Sequence, residues 1–407
     1  MDEKKREPAA LVPKESGALV PTASDKPGYW GRNARRLRAC SRVLLLLLLT
    51  FIIVFTALNY HAFSPLNLYY FGQDLKGLPA QVGGEARTLY YDYGGENDAV
   101  AVYRGGVAVA SRQNVKIYAS DGALLLSLAL DKPMSAPRAV ASRDYLIVFD
   151  FGSTTFLVFN AHDLLYEGES GAAILGVGLS DAGCFSLIVA SDTSLSAVEL
   201  FDAGFRHTHR FGRASATVAA PLSNDGRTLA LVGATAAGAQ VDFVTFGEGE
   251  ARASVLFEGF PLAAEFTGNG VLTVLTTKGL YTVTAMGKSL GVIDFDGAAP
   301  IAYDIGSEGS AVALLTDKLT GASRVLAVSR RGYLRASADF TAEVTAVAIG
   351  DSYFYALSGE TATVLRAKNG EVLQTAQIPT GYLAVTSMDS KTARILYSAM
   401  ALPLLAE

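Results

Sequence analysis

The sequence predicts an all-β fold: a β-propeller of seven to eight blades, eight favoured, behind an N-terminal single transmembrane helix and a disordered cytoplasmic tail. Three observations predict it. From about Asp98 onward, short apolar runs rich in β-branched and aromatic residues alternate with clusters of Gly, Asp, Ser and Asn, the pattern of strands and turns. These runs group at a period of about 40 residues, the length of a four-stranded propeller blade. Finally, an uncharged apolar run from Val43 to Leu58 follows a block of arginines.

Composition narrows the classes. Half of the 407 residues are apolar, with 40 Gly and 13 Pro; this excludes a mostly disordered chain and a collagen-like one. Two Cys cannot form a disulfide framework or a multi-Cys zinc module. A net charge of -5 argues against a nucleic-acid partner.

Residues 1–42 read as a disordered basic tail in the cytoplasm. They carry ten Lys or Arg against five Asp or Glu, with no apolar periodicity. The tail's +5 against the chain's -5 leaves -10 for residues 43–407. Residues 43–63 read as an uncleaved signal anchor. Thirteen of the sixteen residues from Val43 to Leu58 are Val, Leu, Ile or Phe. Sixteen residues give a helix of only about 24 Å, so the span needs extension to Phe63 to cover a ~30 Å hydrocarbon core. Arg32, Arg35, Arg36, Arg38 and Arg42 precede the run, and the next basic residue is Lys76. That asymmetry puts the N-terminus in the cytoplasm and the rest outside. The expected location is therefore the bacterial cell membrane, single-pass, with the propeller extracytoplasmic.

Residues 64–85 read as a linker, 86–400 as the propeller and 401–407 as a C-terminal tail. First strands of successive units are expected near Ala99, Pro137, Ala172, Ser215, Leu262, Pro300, Glu343 and Gly381. The last unit is short, and Arg87 to Tyr93 is the candidate strand that completes it, which leaves no exposed edge in the ring. Seven blades stay open if the terminal strands complete the first unit instead. Second strands such as Tyr145 to Phe149 and Val271 to Leu275 are apolar on both faces, as sheets covered on both sides require.

The turns share a chemistry. Ser223-Asn224-Asp225-Gly226 leads into Thr228 to Val232. Ser180-Asp181-Ala182-Gly183 and Gly306-Ser307-Glu308-Gly309 repeat the layout. Asp and Ser side chains close such turns and Gly supplies the positive φ. Asp121-Gly122 and Asn369-Gly370 sit between strand runs as hairpin turns. The segment Ser223 to Ala230 resembles the Ser-x-Asp-Gly-x-x-Leu-Ala blade motif of WD40-like and TolB-type propellers. The whole layout over residues 30–400 is similar to an uncharacterised family of single-pass, membrane-anchored propeller proteins from Clostridia-type Firmicutes, a domain of unknown function. That resemblance implies the architecture and no activity. The Gly-His and Trp-Asp pairs of true WD40 repeats are missing from the chain, so WD40 partner rules do not carry over.

The search for chemistry yields no catalytic, cofactor-binding or metal-binding residues and no cofactor. His207-x-His209 places two imidazoles on one strand face, but Arg206 and Arg210 flank them and no third ligand is visible; an exposed edge-strand pair is the expectation. His61 and His162 stand alone as surface residues. Asp294-x-Asp296-Gly297 starts like a calcium loop but lacks the later oxygens, and reads as a turn. Gly247-Glu248-Gly249-Glu250 lacks the Lys and Ser/Thr of a P-loop. Cys184 reads as a core thiol, and Cys40 as a plain thiol next to the membrane.

Two functions remain. The first is a non-catalytic binding or scaffold module for a cell-envelope protein or ligand. The second is a cell-surface propeller enzyme, a hydrolase or lyase, with acidic residues in the central funnel. Fold alone does not decide between them. Two carboxylates converging in the funnel with raised pKa values would favour the second.

Overall fold

The computed structural model describes residues 29–58, 88–92, 98–120, 122–160, 163–268, 270–306, 310–317, 320–387 and 392–406. Residues 1–28 of the expected tail 1–42, the extension over 59–63, the linker 64–85, His61, His162, Asp121 and the Ser307 to Gly309 part of one turn lie outside the described residues, whereas residues 29–42, read as disordered, are helical. The chain divides into two compact units, Met1–Tyr69 and Tyr70–Glu407.

The described part of the first unit is a single helix, Tyr29–Leu58. It corrects the transmembrane expectation: among the described residues no helix is long and apolar enough to cross a membrane. The physical reason is the distribution of charge along it. Arg32, Arg35, Arg36, Arg38 and Arg42 occupy its N-terminal half, and an arginine near the centre of a span costs ~2.5–3.5 kcal/mol. The uncharged remainder, Val43 to Leu58, reaches about 24 Å, short of the ~30 Å required.

The second unit is all-β. Eight four-stranded antiparallel sheets follow one another, each with sequential strand order except the last. Their first strands are Ala99–Tyr103, Pro137–Ala141, Ile174–Leu179, Ala216–Ala219, Pro261–Phe266, Ala299–Ile305, Ala346–Ile349 and Ala384–Ser387. First strands touch from blade one through blade five and from blade six through blade eight, so they form the inner wall of a ring and the sheets are its blades. Several begin one to three residues away from the expected positions. Blades three to six each carry a register shift near the start of the first strand, at Ile174/Gly176, Thr217/Ala219, Pro261/Ala263 and Pro300/Ala302. A bulged residue of this kind is invisible to a period-2 pattern.

Eight apolar clusters hold the ring, one for each pair of adjacent blades. This is why second strands are apolar on both faces. Gly106–Ala110, Leu146–Asp150 and Phe185–Val189 are buried at every position. Between blades two and three, the Phe185 and Phe201 rings stack at 4.5 Å, and Phe156 meets each edge-on at 5.5 Å.

Blade eight closes the ring with strands from both parts of the chain. Leu89–Tyr90 pairs with Met400–Leu405, Leu89 opposite Ala401 and Tyr90 opposite Met400. The expected donor segment is thus the right one. The C-terminal segment, read from sequence as a tail after residue 400, is a blade strand as far as Leu405. Its Pro403 sits opposite Arg394 of the neighbouring strand, and this proline is why the segment reads poorly as a strand. Arg394 donates to the Ser120 carbonyl of blade one at 3.1 Å and ties the closing blade to the opening one.

Candidate functional site: the turn face and the inner wall

The first turn of each blade, between its first and second strands, comes to one face of the ring. The Ser-x-Asp-Gly chemistry builds these turns. In blade four, Ser223 Oγ donates to Asp225 Oδ1 at 2.6 Å and accepts from the Thr228 N–H at 3.0 Å. Gly226 adopts φ +69°, and a Cβ there would lie 2.8 Å from Cys184 Sγ. Glycine is therefore required twice over, by conformation and by the close approach of the neighbouring blade. Cys184 is buried, and burial pushes its thiol up to about 11; it is a core group, as expected.

The turns also bond to one another around the ring. Tyr103 Oη of blade one donates to the Asp144 carbonyl of blade two at 2.6 Å. The Arg143 N–H of blade two donates to Asp181 Oδ1 of blade three at 2.9 Å. The Ala182 N–H of blade three donates to the Asn224 carbonyl of blade four at 3.1 Å, and the Asn224 N–H to the Gly268 carbonyl of blade five at 3.5 Å. Four such links join the turns of five consecutive blades in a continuous arc.

Above that arc lies a shallow, open depression of about 510 Å³, lined by Arg143, Asp181, Asn224, Asp225, Gly268, Gly270 and Arg330. Arg330 comes from the outer turn of blade six and lies across blade five: a Cβ on Gly268 would stand 2.4 Å from Arg330 Nη2. The depression is polar, carries both signs of charge and is built by five blades. A smaller groove of about 170 Å³ sits at the rim between blades one and two.

The inner wall holds a second feature. One position before the end of the first strand, blades three, five, six, seven and eight carry Gly178, Glu265, Asp304, Ala348 and Thr386. Two adjacent blades therefore place carboxylates where blades three, seven and eight carry Gly, Ala and Thr. Asp304 Oδ2 accepts the Ile349 N–H of blade seven at 2.8 Å. Burial pushes Asp304 up to about 6 despite that bond and a second from the Ile305 N–H. Solvent reaches Glu265, but the surrounding wall desolvates it, and burial followed by the nearby Asp304 charge pushes it up to about 7. Tyr303 lies beside them, raised by burial and then by the Glu265 charge.

The residues weighed from sequence fall elsewhere. His207 and His209 lie on the outer strand of blade three, His207 against the Phe201 ring at 5.3 Å and His209 stacked on Phe211 at 5.9 Å. Among the described residues, no group of three or more His, Cys, Asp or Glu is placed to hold a metal ion. The Asp296 N–H donates to Asp294 Oδ1 at 2.8 Å, with positive φ at Asp296 and Gly297: a turn, as read. Sequence reasoning missed Arg143, Arg330, Glu265 and Asp304. A signal for the last two did exist, since aligning the first strands sets an acid against Gly, Ala and Thr.

An eight-bladed β-propeller with an open polar turn face is the class that this geometry defines. Residues 90–398 match the family described as "Family of unknown function (DUF5711)", and the chain belongs to it. Among curated proteins, none matches the chain in sequence. Among solved structures, it is similar to the computationally designed Ika8 protein, with TM-score 0.57, 12% identity, and coverage of 78% of this chain and 98% of that one. It is similar to BamB from Moraxella catarrhalis, with TM-score 0.52, 12% identity, and coverage of 78% and 98%. It is also similar to the Cps50 (Swd1) β-propeller domain of Myceliophteria thermophila, with TM-score 0.50, 12% identity, and coverage of 79% and 100%. At such identities the likeness concerns the fold.

Proposed function

We propose that the protein is a non-catalytic binding module that holds a protein partner of the bacterial cell envelope on its turn face. The observation that carries this reading is the open depression of about 510 Å³. It is too shallow and exposed to enclose a small molecule, and ligand sites for small molecules bury most of the ligand. Its mixed Arg and Asp lining suits a partner surface, where arginine is enriched and charge fixes register. The propeller supplies rigidity, since the turns of blades one to five are bonded one to the next. The envelope placement is part of the proposal. It rests on the exposed apolar segment Val43 to Val54 of the helix, which needs cover by a partner surface.

The test uses the full chain, with Arg143→Glu and Arg330→Glu combined, against Arg324→Glu on the outer rim of blade six as control. Capture from solubilised envelopes should recover the same protein with the wild type and the control. The turn-face variant should recover at least about tenfold less, a loss of ~1.4 kcal/mol. Equal recovery by all three contradicts the proposal.

The second reading, a propeller enzyme, is favoured by one observation. Glu265 and Asp304 share the inner wall with carboxyl groups raised toward neutrality, the range in which an acid or base works best. Against it, Asp304 already accepts a backbone N–H from blade seven, and neither carboxylate lines the depression. Hydrolysis of a cell-surface glycan or peptide that is abolished by Glu265→Gln would establish this second reading.

A further inference from the structure

We propose that the partner held on the turn face presents an acidic segment, received by the outer turns of blades five and six: Lys288, Arg330 and Arg331 meet its carboxylates, and Met286 and Tyr333 cover its apolar side chains. This inference rests on the turn-face reading above and adds the chemistry of the partner.

The two outer turns are built alike. In blade five the Gly287 N–H donates to the Thr284 carbonyl at 2.8 Å, and the Lys288 N–H donates to Thr284 Oγ1 at 3.1 Å. In blade six the Gly332 N–H donates to the Ser329 carbonyl at 2.8 Å, and the Tyr333 N–H donates to Ser329 Oγ at 3.1 Å. Each is a four-residue turn with a hydroxyl residue first and a positive-φ glycine last, at +77° and +76°. Met286 sits at the tip of one, Arg330 and Arg331 at the tip of the other, and all three are exposed. The turns are neighbours. A Cβ on Gly332 would lie 2.8 Å from Gly291 Cα of blade five, and a Cβ on Gly291 would lie 2.7 Å from the Arg331 carbonyl oxygen. The arginine pair is therefore carried on a turn seated against the next blade, with Arg330 reaching over Gly268.

Charge sets this part of the face apart. On blades one to four the turn arginines are matched by acids: Arg104 and Arg143 with Asp144 at 3.8 and 3.2 Å, Arg206 with Asp202 at 2.7 Å, and Arg227 with Asp225 at 4.0 Å. Lys288, Arg330 and Arg331 make no ion pair among the described residues, and the described residues of the turns of blades five and six include no Asp or Glu. Three uncompensated cations thus stand together in a chain whose residues 43–407 carry -10. Glu248 and Glu250 in the outer turn of blade four bound the patch on one side and repel an acidic segment from that blade, which fixes its register. Tyr333 is 62% and Met286 59% exposed; with arginine, these are the residue types enriched where a protein partner is buried. A nucleic acid calls for a longer basic stripe without flanking acids, so the patch favours a protein segment.

The test is fluorescence anisotropy of the full chain with three labelled probes: a short peptide of Glu, Gly and Leu, the same peptide with Lys in place of Glu, and a single-stranded oligonucleotide with the charge of the Glu peptide. Wild type should bind the Glu peptide most tightly of the three, and more weakly as salt rises. Arg331→Gln should weaken that binding about five- to tenfold. Arg206→Gln removes the same charge from the same face, but from an ion pair, and should change it less than about twofold. Equal losses in the two variants, or tighter binding of the oligonucleotide, overturn the proposal. If the Glu peptide does not bind while envelope capture still falls with Arg143→Glu and Arg330→Glu combined, this inference fails and the turn-face reading stands. Equal capture by wild type, control and combined variant contradicts that reading, and this inference with it.

Discussion

Two carboxylate sites in the ring teach opposite lessons. Asp242, in blade four, is buried, and burial by itself would raise it. Hydrogen bonds from Ser254 and Gln240 and the ion pair with Arg213 of blade three outweigh that and hold it below the usual carboxylate range. Glu265 and Asp304, one and two blades further on, have backbone N–H groups or nothing in place of a cation, and both are raised. The two sites share a scaffold. What differs is the number of donors aimed at the charge, and this sets the direction of the shift.

The comparison can be broken at several points. The largest effect should come from Arg213→Ala. It leaves the Asp242 carboxylate buried beside only Ser254 and Gln240, and removing one partner of a buried pair costs about 3–5 kcal/mol. A fall in Tm no greater than that of an exposed arginine variant would mean that Asp242 is not held by its cation. Phe185→Ala should cost about 3–5 kcal/mol as well, because it empties the aromatic seam of blades two and three; equilibrium denaturation measures it, and this seam should show no pH dependence. Asp242→Asn should remove stability that the wild type has at neutral pH and loses as pH falls below the ordinary aspartate range. That sign is opposite to the one expected at Glu265, and a Tm profile in acid reads it. Ser223→Ala should cost about 1 kcal/mol, the worth of one turn hydrogen bond with its partner left unpaired. Arg324→Ala removes an ion pair at 2.7 Å between two well-exposed side chains and should change stability by no more than about 0.5 kcal/mol.

The blades were legible because their signals are local. Ser223, Asp225 and Gly226 lie within one turn, and the chemistry of that turn needs no knowledge of the rest of the ring. The hairpin at Gly370 is equally local: its φ is +71° and the Gly370 N–H donates to the Arg366 carbonyl at 2.9 Å. Glu265 and Asp304 are legible only after the bulges have aligned the first strands, since 39 positions separate them in the chain. The depression was not legible, because it joins turns from residue 143 to residue 330 that only the closed ring brings to one face. The helix was misread as a span because the sequence reading had to add the stretch up to Phe63 to reach bilayer thickness, whereas the helix described ends at Leu58, 16 uncharged residues after Arg42.

The account's central claim, a partner held on the turn face, is tested most directly by site-specific photo-crosslinking in living cells. A photoreactive residue at Asn224 of the full chain should yield one discrete protein adduct, and the same residue at Val372, exposed on the outer strand of blade seven, should not. Matching adducts from both positions, or none from Asn224, would contradict the claim.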